Sequence, residues 1–163
     1  MPRGMTRRQA LRTIGVFGAA ATTGAFSLAA ASRADAQALG GQEQVNDALK
    51  RVFGTKPVKD GAGVIKLDVP LIAENGAVVP VGVDVTSPMT PANYVKHIYI
   101  VADKNRIPIV ARVALAPEAG QASFAANIRL GETGDVRAIV EQSDGTLLQV
   151  KREVKVTVGG CGG

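Results

Sequence analysis

The chain of 163 residues contains one Cys and one His, and any covalent chemistry of its own centres on where these two stand. Cys161 is bracketed by Gly159-Gly160 and Gly162-Gly163. Glycine has no Cβ, so each flanking residue reaches most of backbone space and offers almost nothing to pack against. A thiol so placed has no neighbours to lock it into a preorganised site. It can instead extend ~10 Å beyond Val158, at ~3.4 Å per residue, into narrow clefts on other proteins. Nucleophilic catalysis needs the reverse: a fixed thiolate, an oriented base and an oxyanion site. The α-carboxylate of Gly163 lies near the sulfur along the chain and disfavours the thiolate, while Lys155 and Arg152 are separated from it by the glycines. Cys161 is therefore expected to depend on partner proteins for activation. A tail whose Cys is incidental is the plain alternative. A thiol peroxidase or disulfide oxidoreductase would want a Cys-x-x-Cys pair or a helix N-terminus, and Cys161 has neither.

The remaining composition excludes more than it offers. A single Cys rules out an intrachain disulfide framework and a zinc site of several thiolates. His97, on a strand-like run with no second His or Cys nearby, reads as structural. Asp60, Asp68, Glu74 and Asp84 are scattered and read as solvated. The chain holds no phosphate-cradling glycine motif, no nucleophile elbow and no aromatics spaced on basic strands. No metal, no cofactor and no catalytic residue is expected. The net charge of +5 is concentrated at the N-terminus: residues 1–38 hold five Arg and one Asp, leaving +1 for residues 39–163. That near-neutral remainder speaks against nucleic acid as a partner.

Residues 1–38 read as an export signal. Arg3, Arg7, Arg8 and Arg12 form a positive leader, and residues 13–32 are uncharged and rich in Ala, Gly and Thr. Small residues at Ala34, Ala36 and Ala38 suit cleavage near 36–38. Thr6-Arg7-Arg8-Gln9-Ala10-Leu11-Arg12 resembles a twin-arginine signal, with Ala10 where Phe is usual, so ordinary secretion stays open. The glycines, Thr22, Thr23 and Ser27 make the stretch weakly apolar, which favours a cleaved signal over a stable membrane anchor. Either export route ends in the periplasm.

The elements that must hold up the thiol are mostly strands. Residues 42–53 form the one good helix candidate, with Val45, Leu49, Val52 and Phe53 at helical spacing and Gly54 as the stop. Seven β-rich runs follow: 64–69, 78–85, 95–101, 107–115, 122–130, 136–141 and 147–158. Turn chemistry separates most of them, as at Asn75-Gly76, Asp103-Lys104-Asn105 and Asp144-Gly145. The pattern predicts an all-β chain, an immunoglobulin-like β-sandwich of about seven strands, with a short N-terminal helix. The organisation is thus a signal at 1–38, helix plus sandwich at 39–158, and a flexible C-terminal arm at 159–163.

The end of the chain, Val154-Lys155-Val156-Thr157-Val158-Gly159-Gly160-Cys161-Gly162-Gly163, resembles the hallmark of the SoxY family, the sulfur-carrying subunits of the periplasmic thiosulfate-oxidising system. Residues 70–81, Asp103-Lys104-Asn105, Asn127-Ile128-Arg129, Val136-Arg137-Ala138 and Ser143-Asp144-Gly145 add to the likeness, with Arg106 where Pro is common. The resemblance spans roughly residues 42–163. It implies that Cys161 holds sulfur substrates covalently at the tip of a swinging arm and that the chain pairs with a second sandwich, SoxZ, as a heterodimer. It further implies a haem protein that loads thiosulfate, a hydrolase that releases sulfate and, in some systems, a sulfane dehydrogenase. The rival reading is a periplasmic interaction module whose Cys161 forms an intermolecular disulfide. On the carrier reading, Val in place of Gly160 or Gly162 is expected to leave folding intact and to slow loading.

Overall fold

A computed structural model of the chain describes residues 43–160. Helix α1 (Val45–Phe53) is followed by nine strands: β1 (Val58–Asp60), β2 (Ile65–Asp68), β3 (Ile72–Asn75), β4 (Val79–Val85), β5 (Val95–Ala102), β6 (Ile109–Ala114), β7 (Ala122–Ile128), β8 (Gly134–Gln142) and β9 (Leu147–Val158). A short 3-10 turn at Pro117–Ala119 precedes β7. Strands β2, β4 and β7 form one sheet; the other runs β1-β9-β8-β5-β6, with β3 also paired to β9.

The two sheets face each other across a core of small branched side chains. Val79, Val81, Val83 and Val85 alternate inward from β4, against Ile98 and Ile100 of β5, Val136, Ala138 and Val140 of β8, and Val154 of β9. Their period of two is what a half-buried strand requires. Each such Val or Ile contributes about 1.5–3 kcal/mol when fully buried. Pro80 is tolerated within β4 because it lies beyond the last β2 pair, Asp68↔Gly82, and points to solvent.

The large sheet is covered on its outer face by α1. Val45, Leu49 and Val52 pack with Phe53 against Tyr99, Val101, Ile139 and Leu147. The Phe53 and Tyr99 rings meet edge-on, 4.8 Å between centroids. The stripe read from the sequence is thus the buried face of the helix. Strand β5 is consequently apolar on both faces, while the helix begins at Val45, three residues after the expected start, because Gln44 is still extended. Gly54, at φ +65°, closes it by donating its N–H to the Lys50 carbonyl.

The seven expected runs all appear as strands, and two more join them. β1 and β3 are three and four residues long, too short for alternation to show, and both run parallel to β9. They share one edge of it in turn: β1 along 147–149, β3 along 155–158. The opposite edge is taken by β8, whose pairing stops at Val154. The last four residues of β9 therefore depend on β3.

His97 lies on β5 two residues before Tyr99, their rings 5.8 Å apart. Arg112 donates to His97 Nε2 at 2.9 Å, and arginine has no acceptor, so the ring proton is on Nδ1 and is given to Glu141 Oε2 at 2.8 Å. The same guanidinium lies 5.5 Å from the Tyr99 ring centroid. His97 and Glu141 are both nearly buried, and Lys56 Nζ stands 3.7 Å from Glu141 Oε1. Burial acts to raise the Glu141 carboxyl, but the hydrogen bond and field of the His97 ring, with Lys96 and Lys56, outweigh it and hold the group below its ordinary value of 4.5. A carboxyl lowered on folding contributes stability that is present above its unfolded pKa and lost as pH falls through the folded one. Wild-type protein is therefore expected to lose its stability advantage over Glu141→Gln as pH is taken from about 5 to about 3. Urea titrations of both proteins across that range check it; a constant difference would contradict the assignment.

Candidate functional site

Strand β9 leads directly to the glycine-flanked thiol, so the site begins with what holds its last residues. Cys161, Gly162 and Gly163 lie outside the described residues, as do Arg7, Arg8 and the cleavage region at 36–38; Gly159 and Gly160 are described. The parallel pair Asn75↔Val158 brings the β3–β4 turn alongside the end of β9. Asn75 shapes that turn: its Oδ1 accepts from the Ala77 N–H at 2.9 Å.

Three main-chain segments then meet and share hydrogen bonds in a circuit. Gly76 donates to the Val158 carbonyl at 2.7 Å, Leu130 donates to the Gly76 carbonyl at 2.7 Å, and Gly160 donates to the Leu130 carbonyl at 3.0 Å. Gly76, Leu130 and Gly160 are all buried. Further up, Val156 donates to Thr133 Oγ1 at 2.9 Å and Lys155 to the Leu71 carbonyl at 3.0 Å. The strand end is thus held from both sides after β8 has left it.

The circuit is too tight for side chains. A Cβ on Gly76 would collide with the Leu130 carbonyl oxygen and stand 2.8 Å from the Gly160 nitrogen. One on Gly159 would collide with the Gly131 carbonyl oxygen. One on Gly160 would stand 2.7 Å from the Gly76 carbonyl group and 2.8 Å from Ala77 Cα. The sequence reading placed Gly159 and Gly160 in a flexible arm beginning at 159. In the structure Gly159 is packed against Gly131, and Gly160 is buried and hydrogen-bonded to the body.

The 129–131 loop has its own support, which the sequence reading passed over as turn chemistry. Asn105 is 6% exposed, and both ends of its amide are used: Nδ2 donates to the Arg129 carbonyl at 2.7 Å, and Oδ1 accepts from the Gly131 N–H at 3.1 Å. Asn105 is itself placed by the turn after β5, where its N–H bonds the Ala102 carbonyl and Asp103 pairs with Arg137, Nε to Oδ1 at 2.7 Å. Arg137 is held above its ordinary value, chiefly by that hydrogen bond, so its guanidinium stays charged. A buried Asn bonding two main-chain groups leaves no signal in one dimension beyond its turn-forming type.

Among the described residues no three His, Cys, Asp or Glu side chains are grouped to hold a metal ion. His97 is engaged at both ring nitrogens and lies on the face that α1 covers. Among those residues, too, no helix is long and apolar enough to cross a membrane. The arrangement offers a rigid body, a braced strand end and, just beyond it, the thiol.

Comparison with known proteins agrees with this picture. The family model described as sulfur oxidation protein SoxY matches residues 49–161. Among solved structures, the sulfur carrier protein SoxY from Chlorobium limicola f thiosulfatophilum is 31% identical, with 71% of this chain and 97% of that one covered at a TM-score of 0.59. A superoxide reductase (neelaredoxin) from Ignicoccus hospitalis is 21% identical over 57% of this chain and 80% of that one, with a TM-score of 0.50, a likeness of fold alone. No curated protein sequence matches.

The circuit separates Gly160 from the expectation that Val there leaves folding intact. Its Cβ would meet main chain, which cannot swing aside as a side chain can. Forced overpacking of this kind costs about 1–3 kcal/mol. Gly160→Val is expected to lower Tm by several degrees in a calorimetric scan; an unchanged Tm would show that the strand end yields freely.

Proposed function

The chain belongs to the SoxY family of sulfur oxidation proteins, and from that premise we propose that it carries thiosulfate-derived sulfur covalently on Cys161 and presents it to partner enzymes. The observation that carries this reading is the position of the chain's one thiol, just past the braced strand end and between two pairs of glycines, where main chain is nearly all a visiting active site would meet. The chain is a carrier and performs no redox step itself.

Loading joins the sulfane sulfur of thiosulfate to the Cys161 sulfur. The thiol loses its proton, the new S–S bond forms, and two electrons pass to an oxidising haem protein. The product is a cysteine S-thiosulfonate. Hydrolysis by a second partner then cleaves the bond between the terminal sulfonate and its neighbouring sulfur: water supplies the oxygen, sulfate leaves, and a persulfide stays on Cys161. A sulfane dehydrogenase, where a system has one, oxidises that remaining sulfur. Covalent attachment keeps a reactive polysulfane from diffusing away and meets successive active sites at raised effective concentration.

The partner set follows the same reading: a SoxZ-like second sandwich as heterodimer partner, with the haem protein, the hydrolase and the dehydrogenase as visitors. Residues 1–38, with Arg7 and Arg8, act as a twin-arginine-type export signal, and the mature protein works in the periplasm. An intermolecular disulfide through Cys161 is the alternative fate of the thiol in that oxidising compartment.

Intact mass after incubation with thiosulfate and the oxidising haem partner tests the proposal. Wild type is expected to gain one thiosulfonate group, and Cys161→Ser none, while heterodimer formation is unchanged. The same adduct on the Ser variant would refute attachment at Cys161. A wild-type product consisting only of reducible, doubled mass would favour the disulfide module.

A further inference from the structure

The glycines before the thiol have a physical role that suppleness does not explain. Gly159 and Gly160, and Gly76 across from them, are not among the positive-φ glycines, which are Gly54, Gly63, Gly120 and Gly145. None of the three therefore needs glycine for a left-handed φ. Space is the reason: at all three a Cβ would meet main-chain atoms of a neighbouring segment. A glycine kept for freedom stands in open space, as Gly54 does, with nothing within 4 Å of the Cβ it lacks.

Gly160 also satisfies the tests of an ordered residue. It is buried, and its N–H is bonded to the Leu130 carbonyl at 3.0 Å. That carbonyl belongs to the loop whose two sides, at Arg129 and Gly131, are gripped by the buried Asn105 amide. The Gly76 turn completes the circuit by bonding Val158 and Leu130 together. Each polar main-chain group named here has a hydrogen-bond partner, and breaking one bond would leave another group unmatched.

From this we infer that Gly76, the 129–131 loop and Asn105 form a mount that holds Gly159 and Gly160 in place ahead of the thiol. The inference rests on the carrier reading for its purpose and on the circuit for its geometry. Asn105 is a positioning residue in it, acting on the arm through the loop and touching no cargo. A partner that reaches the thiol would then meet a strand end whose Gly159 and Gly160 are held by the body.

Nuclear magnetic resonance on the full mature chain tests this without a mutation. The Gly159 and Gly160 amides are expected to have order parameters near the rigid value of about 0.85. The Gly160 N–H is expected to exchange slowly, alongside β9 amides. A Gly160 order parameter below about 0.6, with unprotected exchange, overturns the mount. Asn105→Ala tests the positioning role: protection at Gly160 should fall about tenfold or more while the Ile98 and Ile139 amides keep theirs. A nitroxide on Cys161 should give a more mobile line shape in that variant. No change at Gly160 removes Asn105 from the mount. The two proposals fail separately, because an ordered Gly160 on a chain that never loads sulfur removes the cargo, and a disordered Gly160 on a chain that loads normally removes the mount.

Discussion

The twelve-residue strand β9 is the constraint on which the rest depends. Its first half is built into the large sheet between β1 and β8. Its second half outlasts β8 and is carried by β3 alone on the outer edge. A strand that leaves its sheet exposes unpaired N–H and C=O groups, which here find partners in Thr133, the Gly76 turn and the 129–131 loop. The body thus carries that strand to its end with these groups matched. The sandwich core of Val, Ile and Ala, and the helix that covers the outer face, give the strand a fixed base.

This architecture agrees with membership of the SoxY family of sulfur oxidation proteins. Catalysis would need an oriented base and an electrostatic pocket at the sulfur. The one histidine is instead committed to Glu141 and Arg112, with both ring nitrogens in use.

Much of the fold was legible because its signals are local. The apolar stripe of α1 and the alternating valines of β4 are read at their own periods, and all seven β-rich runs are strands. β1 and β3 were not legible. Ile72-Ala73-Glu74-Asn75 has no alternation to mark it, and it becomes a strand because β9 presents an unpaired edge beside it. The parallel pairing was equally hidden, since it joins segments some eighty residues apart. At the strand end, Asn75-Gly76 and Asp103-Lys104-Asn105 were read rightly as turns and incompletely as anything else. Nothing in either tripeptide or dipeptide shows that Gly76 lies against the Leu130 carbonyl, or that Asn105 grips the loop beyond it.

The amino-acid sequence alone determined that this chain has a single thiol, that glycines surround it, and that a small, branched, nearly neutral β-body precedes it. These follow from composition and from periods of two and 3.6, which need no knowledge of what folds against what. Only the tertiary structure decided what lies against the first two glycines. In one dimension a glycine beside another glycine reads as freedom; in three, carbonyl groups from residues 76 and 131 occupy the space that a Cβ on Gly160 or Gly159 would need. Close approach between distant segments is a property of the packed chain, and no reading of neighbours along the sequence contains it.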